Sequence, residues 1–176
     1  MVRLMKFFAY SAFFISMLMY FMPKISTYYL FEEQLKENSV VISKEELIDN
    51  GFSLDINNAC VSVNSISSAK IKNINIKLFA FFNEVSIQNI SLSKSMNLFI
   101  PLHVEHINIS YSLLNPLILN LDGVGEFGEF VAKYDISEHK IKLHLKPSKV
   151  MLSDYETTLT NLKKSENGEY IYEKNI

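Results

Sequence analysis

The polarity pattern changes character twice along the chain. Phe7 to Pro23, FFAYSAFFISMLMYFMP, is seventeen residues without a charge, preceded by Arg3 and Lys6 and followed by Lys24. As a helix it spans about 25 Å, short of a ~30 Å hydrocarbon core, but flanking lysines can snorkel and Ile25 to Phe31 adds apolar length. Ser11 and Ser16 are its only strongly polar side chains, too few for the polar stripe of a surface helix in a soluble core. Tyr20, Phe21, Met22 and Pro23 offer none of the small residues a signal peptidase needs. Residues 1–24 are therefore expected to form a cytoplasmic tip and an uncleaved transmembrane signal anchor; a cleaved signal and a buried core helix are the alternatives. The amino group, Arg3 and Lys6 precede the run and only Lys24 follows it closely, which predicts a cytoplasmic N-terminus and a body on the far side.

A short helical connector is expected over residues 25–50. YYLFEEQLKEN (Tyr28 to Asn38) keeps Tyr28, Phe31 and Leu35 on one helical face, continuing the anchor beyond a bend at Pro23. Ser43 to Glu46 has the form of a capping box, predicting one or two further turns that stop at Asn50 and Gly51. The period then becomes two: Phe52, Leu54 and Ile56 alternate with polar residues, as do Ile74, Ile76, Leu78, then Ile107, Ile109, Tyr111, and Ile141, Leu143, Leu145. Residues 51–176 should thus form a mainly β domain.

A six-residue frame recurs within it: INNACV (Ile56), IKNINI (Ile71), IQNISL (Ile87), VEHINI (Val104) and a weaker LDGVGE (Leu121), 15 to 17 residues apart. That spacing suits one hairpin or one solenoid rung per copy. The third positions, Asn58, Asn73, Asn89, His106 and Gly123, tolerate positive φ, and a bulge there would return apolar residues three apart to one face. The expected fold is a twisted, bulged, curved antiparallel sheet with one or two short helices. One of these is predicted from a capping box at Ser153 and Glu156 and a stripe of Met151, Tyr155, Leu159 and Leu162, before Asn167 and Gly168 turn into a last strand.

Composition and charge then narrow the function. The chain is 48% hydrophobic and 20% charged, which excludes a disordered tail. All 19 acidic residues and 14 of the 17 basic ones follow Lys24, and the only arginine is Arg3. The body is thus acidic and lacks the guanidinium groups favoured for phosphate and guanine, so direct nucleic-acid binding is not expected. Cys60 is the single cysteine, which excludes a disulfide or zinc scaffold. Gly123, Gly125 and Gly128 spell G-x-G-x-x-G, but Glu126 and Glu129 would oppose a phosphate and no helix follows, so a glycine-kinked strand is expected instead. His103 and His106, and His139 and His144, have odd separations that place partners on opposite strand faces, unless a bulge between His103 and His106 brings that pair together; exposed strand histidines are the expectation. No catalytic, cofactor-binding or metal-binding residues are assigned, and the protein is not expected to be an enzyme.

A short anchor ending YYLFEEQL, then VVISKEELIDNGFSLDINNACVSV, repeated I-x-N-I-x-I strands, GVGEFGEFVAKYDI and a closing ENGEYIYE resemble the bacterial type II secretion N component and the broader AsmA-like proteins. The resemblance implies a single-pass protein of the bacterial inner membrane with a periplasmic β domain and no active site. It further implies a structural component of an envelope machine, such as a type II secretion, pilus or DNA-uptake apparatus, with the membrane and other machine subunits as partners. The alternative is an AsmA-like lipid-handling protein whose apolar groove or core is lined by Ile74, Ile76, Ile87, Ile90, Ile107 and Ile109.

Overall fold

The computed structural model describes residues 2–175; Met1 and Ile176, the outermost residues of the expected segments, lie outside them. α1 (Val2–Phe21) buries none of its side chains. Among the described residues it is the helix long and apolar enough to cross a membrane, a property that a signal sequence shares. Pro23 has no N–H to extend the ladder, and the chain restarts as α2 (Lys24–Glu37). The buried face of α2 is Lys24, Tyr28 and Glu32, one residue per turn, whereas Phe31 of the expected stripe is exposed. The Lys24 ammonium donates to the carbonyls of Tyr20 (3.3 Å) and Met22 (3.2 Å) and pairs with Asp49 (3.2 Å), closing the end of α1 at the elbow. Burial, and then the carboxylates of Glu45 and Glu32, hold the Tyr28 phenol well above its usual pKa.

The rest is mainly one open antiparallel sheet of eleven strands among the described residues, as the alternating pattern predicts. Its long members follow in chain order: β3 (Ser53–Val63), β4 (Ile66–Leu78), β5 (Phe82–Leu92), β6 (His103–Ser112), β7 (Ile118–Gly125), β8 (Gly128–Asp135) and β9 (Lys140–Pro147). β11 (Tyr170–Asn175) adds to β9, and a two-residue β10 (Lys163–Lys164) adds to β11. At the other edge β1 (Val40–Ser43) and β2 (Glu46–Asp49) both pair with β3. The helix expected from the Ser43 capping box is therefore absent. Lys44 takes φ 66° between the two short strands, while Ile42 pairs with Val61 and Leu47 with Ile56. Pairing two apolar side chains across the sheet outweighs one local cap.

The six-residue frames occupy one strand each, β3 to β7, rather than one hairpin each. Two paired rows cross four strands, Asn57–Asn73–Gln88–His106 and Ala59–Ile71–Ile90–Val104. Between them each strand carries one extra residue outside the pairing: Asn58, Lys72, Asn89 and Glu105, all exposed. This shared slip lets Ile56 and Ala59, three apart, be buried on the same side. Of the five third positions only Asn58 (φ 59°) and Asn89 (φ 53°) take positive φ; Asn73, His106 and Gly123 do not. The slip ends as a register shift between Val104 and His106 against β7, whose frame contains no extra residue. Alanine at Asn58 should cost about 1 kcal/mol and glycine almost nothing, because the left-handed region penalises a Cβ; urea unfolding of the two variants checks this.

Near the C-terminus the expected helix over Met151 to Leu162 is split and starts earlier. α3 (Lys149–Asp154) is capped by Ser148, whose Oγ accepts from the Met151 N–H at 3.1 Å, and α4 (Glu156–Leu159) follows after a break at Tyr155. The stripe itself is in place, with Met151, Tyr155 and Leu159 all buried. Lys163 and Lys164, directly after the stripe, form β10.

Candidate functional site: an apolar sheet face

The two faces of the sheet differ in chemistry. On one, Asn73 donates to Asn57 (2.9 Å), Asn75 to Asp55, and Asn108 to Asp122 (3.0 Å). On the other, paired residues form two apolar rows across eight strands: Leu54–Ile76–Val85–Ile109–Leu121–Ala132–Leu143–Tyr172 and Ile56–Ile74–Ile87–Ile107–Gly123–Phe130–Leu145–Tyr170. Facing side chains in such rows lie within contact of one another.

Two covers bury parts of this face. α2 places Tyr28 over Leu54, Ile56 and Ala59, with Ile25, Ile42 and Leu47 around it. α3 and α4 place Met151, Tyr155 and Leu159 over Ile90, Val104, Phe127 and Leu145. The second cover is tied to the β5–β6 connection: Tyr155 Oη donates to Asn97 (2.8 Å) and Thr158 Oγ1 to the Phe99 carbonyl (2.7 Å). It is tied to the β7–β8 turn through Ser148, whose N–H donates to the Phe127 carbonyl at 3.0 Å and whose Oγ donates to that of Glu126.

Beneath this second cover lies an open pocket of about 410 Å³. It is lined by Ile90, Leu92, Ile100, Val104, Ile107, Phe127, Phe130, Leu143, Leu145, Met151, Leu162 and the methyl-bearing Thr158. Of the six residues expected to line a groove or core, all lie on the apolar face. Ile90 and Ile107 line the pocket, Ile87 packs beside it, and Ile74 and Ile76 pack under α2. Ile109 is half-buried between the covers. The sequence pattern does not place Phe127, Met151 or Leu162 there, since it puts Phe127 on a glycine-kinked strand and the other two on a separate helix; Met151 and Leu162 nevertheless carry a signal as the buried stripe.

On the polar face His106 joins Ser86, Gln88, Asn89, Glu105 and Asn108 around an open pocket, also of about 410 Å³. His144 lies 3.8 Å from Glu169, both about half exposed, and among the described residues no three His, Cys, Asp or Glu side chains converge on one point. The Gly123–Gly128 segment is a tight hairpin, Gly125 pairing with Gly128 around Glu126 and Phe127. No family model, curated protein or solved structure matches this chain. The pocket's lining offers shape and apolar surface, which suits a ligand held by burial rather than by ionic or hydrogen-bonding groups.

Proposed function

We propose that this chain is a non-enzymatic, single-pass envelope protein whose apolar sheet face holds an acyl chain. The observation that carries this reading is the pair of apolar rows, both of which pass through an unfilled pocket of about 410 Å³, within the size range of small-molecule sites. A solid core would have filled that space with side chains. In this reading α1 crosses the bacterial inner membrane with its N-terminus in the cytoplasm and the sheet stands in the periplasm, beside its source of lipid. The test is native mass spectrometry of the full chain extracted in mild detergent. Lipid-sized adducts are expected on the native protein. Ile107→Trp should abolish them while leaving the unfolding midpoint nearly unchanged, because the indole would occupy the pocket. A native protein free of adducts, or adducts undiminished by the tryptophan, would sink the proposal.

A second reading, a subunit of a type II secretion, pilus or DNA-uptake apparatus, draws on the sheet's edges. β1 and β2 are four residues each, and β10 covers only Tyr170 and Ile171 of β11. Backbone groups at such edges are where another chain adds a strand. Crosslinking in intact envelopes should then recover machine subunits through β11, and secretion, piliation and transformation all intact without the gene would remove this reading.

A further inference from the structure

Three of the turns at one end of the sheet form an apolar rim, which stops at the polar β8–β9 turn carrying Glu138 and His139. They are the β2–β3 turn at Phe52, the β4–β5 turn with Phe79 and Phe81, and the β6–β7 turn with Leu113, Leu114 and Leu117. Each of these side chains is exposed, Phe81 by 65% and Leu114 by 90%. Backbone hydrogen bonds stitch the rim together: the Leu78 N–H donates to the Phe52 carbonyl (3.1 Å), Leu113 to Phe81 (3.0 Å) and Ile136 to Leu117 (2.8 Å). Neither Leu78–Phe82 (LFAFF) nor Leu113–Leu117 (LLNPL) contains a charge.

α1 ends at this same rim. The Tyr20 ring, in the last turn of α1, packs edge-on against Phe52 at 5.4 Å, and Phe52 stacks on Phe79 at 6.0 Å. Gly51 permits this seat: at φ +81° it carries no Cβ, and one would lie 2.2 Å from the Tyr20 ring. The end of the candidate span and the uncharged turns thus share one aromatic contact.

We infer that this rim docks on the lipid surface itself, seating the turns at Phe79–Phe82 and Leu113–Leu117 in the interfacial layer beside the anchor. The inference rests on α1 spanning the membrane, as proposed above. Apolar loops free of charge gain by leaving water at a bilayer boundary, and a span that ends against them holds them at that depth. Docking would leave the pocket at the far end of the strands, where the β5–β6 connection and the β7–β8 turn meet, joined to the rim by the apolar face. The opposite end also exposes Leu98 and Phe99, but it lies a ten-residue strand away, about 33 Å, beyond the interfacial layer, and so serves as the internal control.

The test uses the full chain with Cys60→Ser, reconstituted in phosphatidylcholine–phosphatidylglycerol vesicles. Single cysteines at Phe14→Cys, Phe81→Cys, Leu114→Cys and Leu98→Cys carry an environment-sensitive fluorophore. Labels at 81 and 114 should lose most of their emission to lipids spin-labelled near the headgroup and resist aqueous iodide several-fold better than the label at 98. If labels 81 and 114 match label 98 while label 14 is quenched by deep spin-labelled lipid, the anchor stands and the rim proposal falls. If 81 and 114 are shielded from both quenchers, a protein surface covers the rim and the proposal is again overturned. Absence of lipid quenching at 14 would overturn the anchor reading and the rim with it.

Discussion

Alanine in place of Gly128 should lower the urea midpoint of the full chain in mild detergent by roughly 1–2 M, the equivalent of about 3 kcal/mol at a typical urea slope. Gly128 opens β8 at φ +115°, where a side chain is strained, and an added Cβ would lie 2.2 Å from the Lys146 carbonyl oxygen and 2.7 Å from the Ser148 nitrogen. Both atoms belong to backbone, so relief requires β8 and β9 to separate where Gly128 pairs with Pro147. That movement pulls Ser148 away from Phe127, whose carbonyl it holds at 3.0 Å, and Ser148 also caps α3. The damage therefore spreads from a turn to the cover of the apolar pocket, and lipid adducts should fall along with stability. Gly168→Ala is the control: its φ is +82° but nothing lies within 4 Å of the added Cβ, so only the conformational cost of about 1 kcal/mol applies. Equal midpoint shifts for the two variants would show that the contact with β9 contributes nothing.

The strands and α1 were legible because each is a local pattern: alternation for β3, β4, β6 and β9, an uncharged run for the helix. The recurring frame was legible as a repeat, yet its physical basis was not. Asn58, Lys72, Asn89 and Glu105 form one slipped row only after four strands are laid side by side, and no single copy reveals that alignment. Ser43 to Glu46 misled for the same reason. Its capping signal is local, whereas the partners that decide its conformation, Ile56 paired with Leu47 and Val61 paired with Ile42, lie on the next strand. The pocket needed three distant segments, the β5–β6 connection, the β7–β8 turn and α3–α4, to meet through Ser148, Tyr155 and Thr158. Those contacts leave only ordinary serine, tyrosine and threonine in the sequence. LFAFF and LLNPL are uncharged in the sequence, but no local signal marks them as turns at a shared edge, and only the topology puts both at the end where Tyr20 lies.

Breaking the elbow pair from its two sides should have unequal consequences. Lys24 Nζ is buried, its side chain 1% exposed, whereas the Asp49 side chain is 30% exposed. Lys24→Met removes the buried charge and leaves a carboxylate that water and the Gly51 N–H (2.9 Å) still solvate, a loss of about 1 kcal/mol. Asp49→Asn leaves an ammonium facing only the Tyr20 and Met22 carbonyls, an uncompensated buried charge that costs about 3 kcal/mol. The double variant should recover most of the larger loss, since no buried charge then remains. Urea unfolding of all four proteins measures the asymmetry, and equal single-variant losses would mean that solvent reaches Lys24. Acid provides an independent arm. The Gly51 N–H first, and the Lys24 ammonium after it, hold the Asp49 carboxyl below the usual carboxylate range. Its contribution is therefore fully present above the ordinary carboxylate pKa and is lost as pH falls through the lowered value. The native chain should shed this stability only in strong acid, and Asp49→Asn should lack that part of the acid transition. Because Asp49 also positions Gly51, against which Tyr20 packs, the same protonation should loosen the contact between anchor and rim, and label 81 should then become more accessible to iodide at low pH in the native chain than it is at neutral pH.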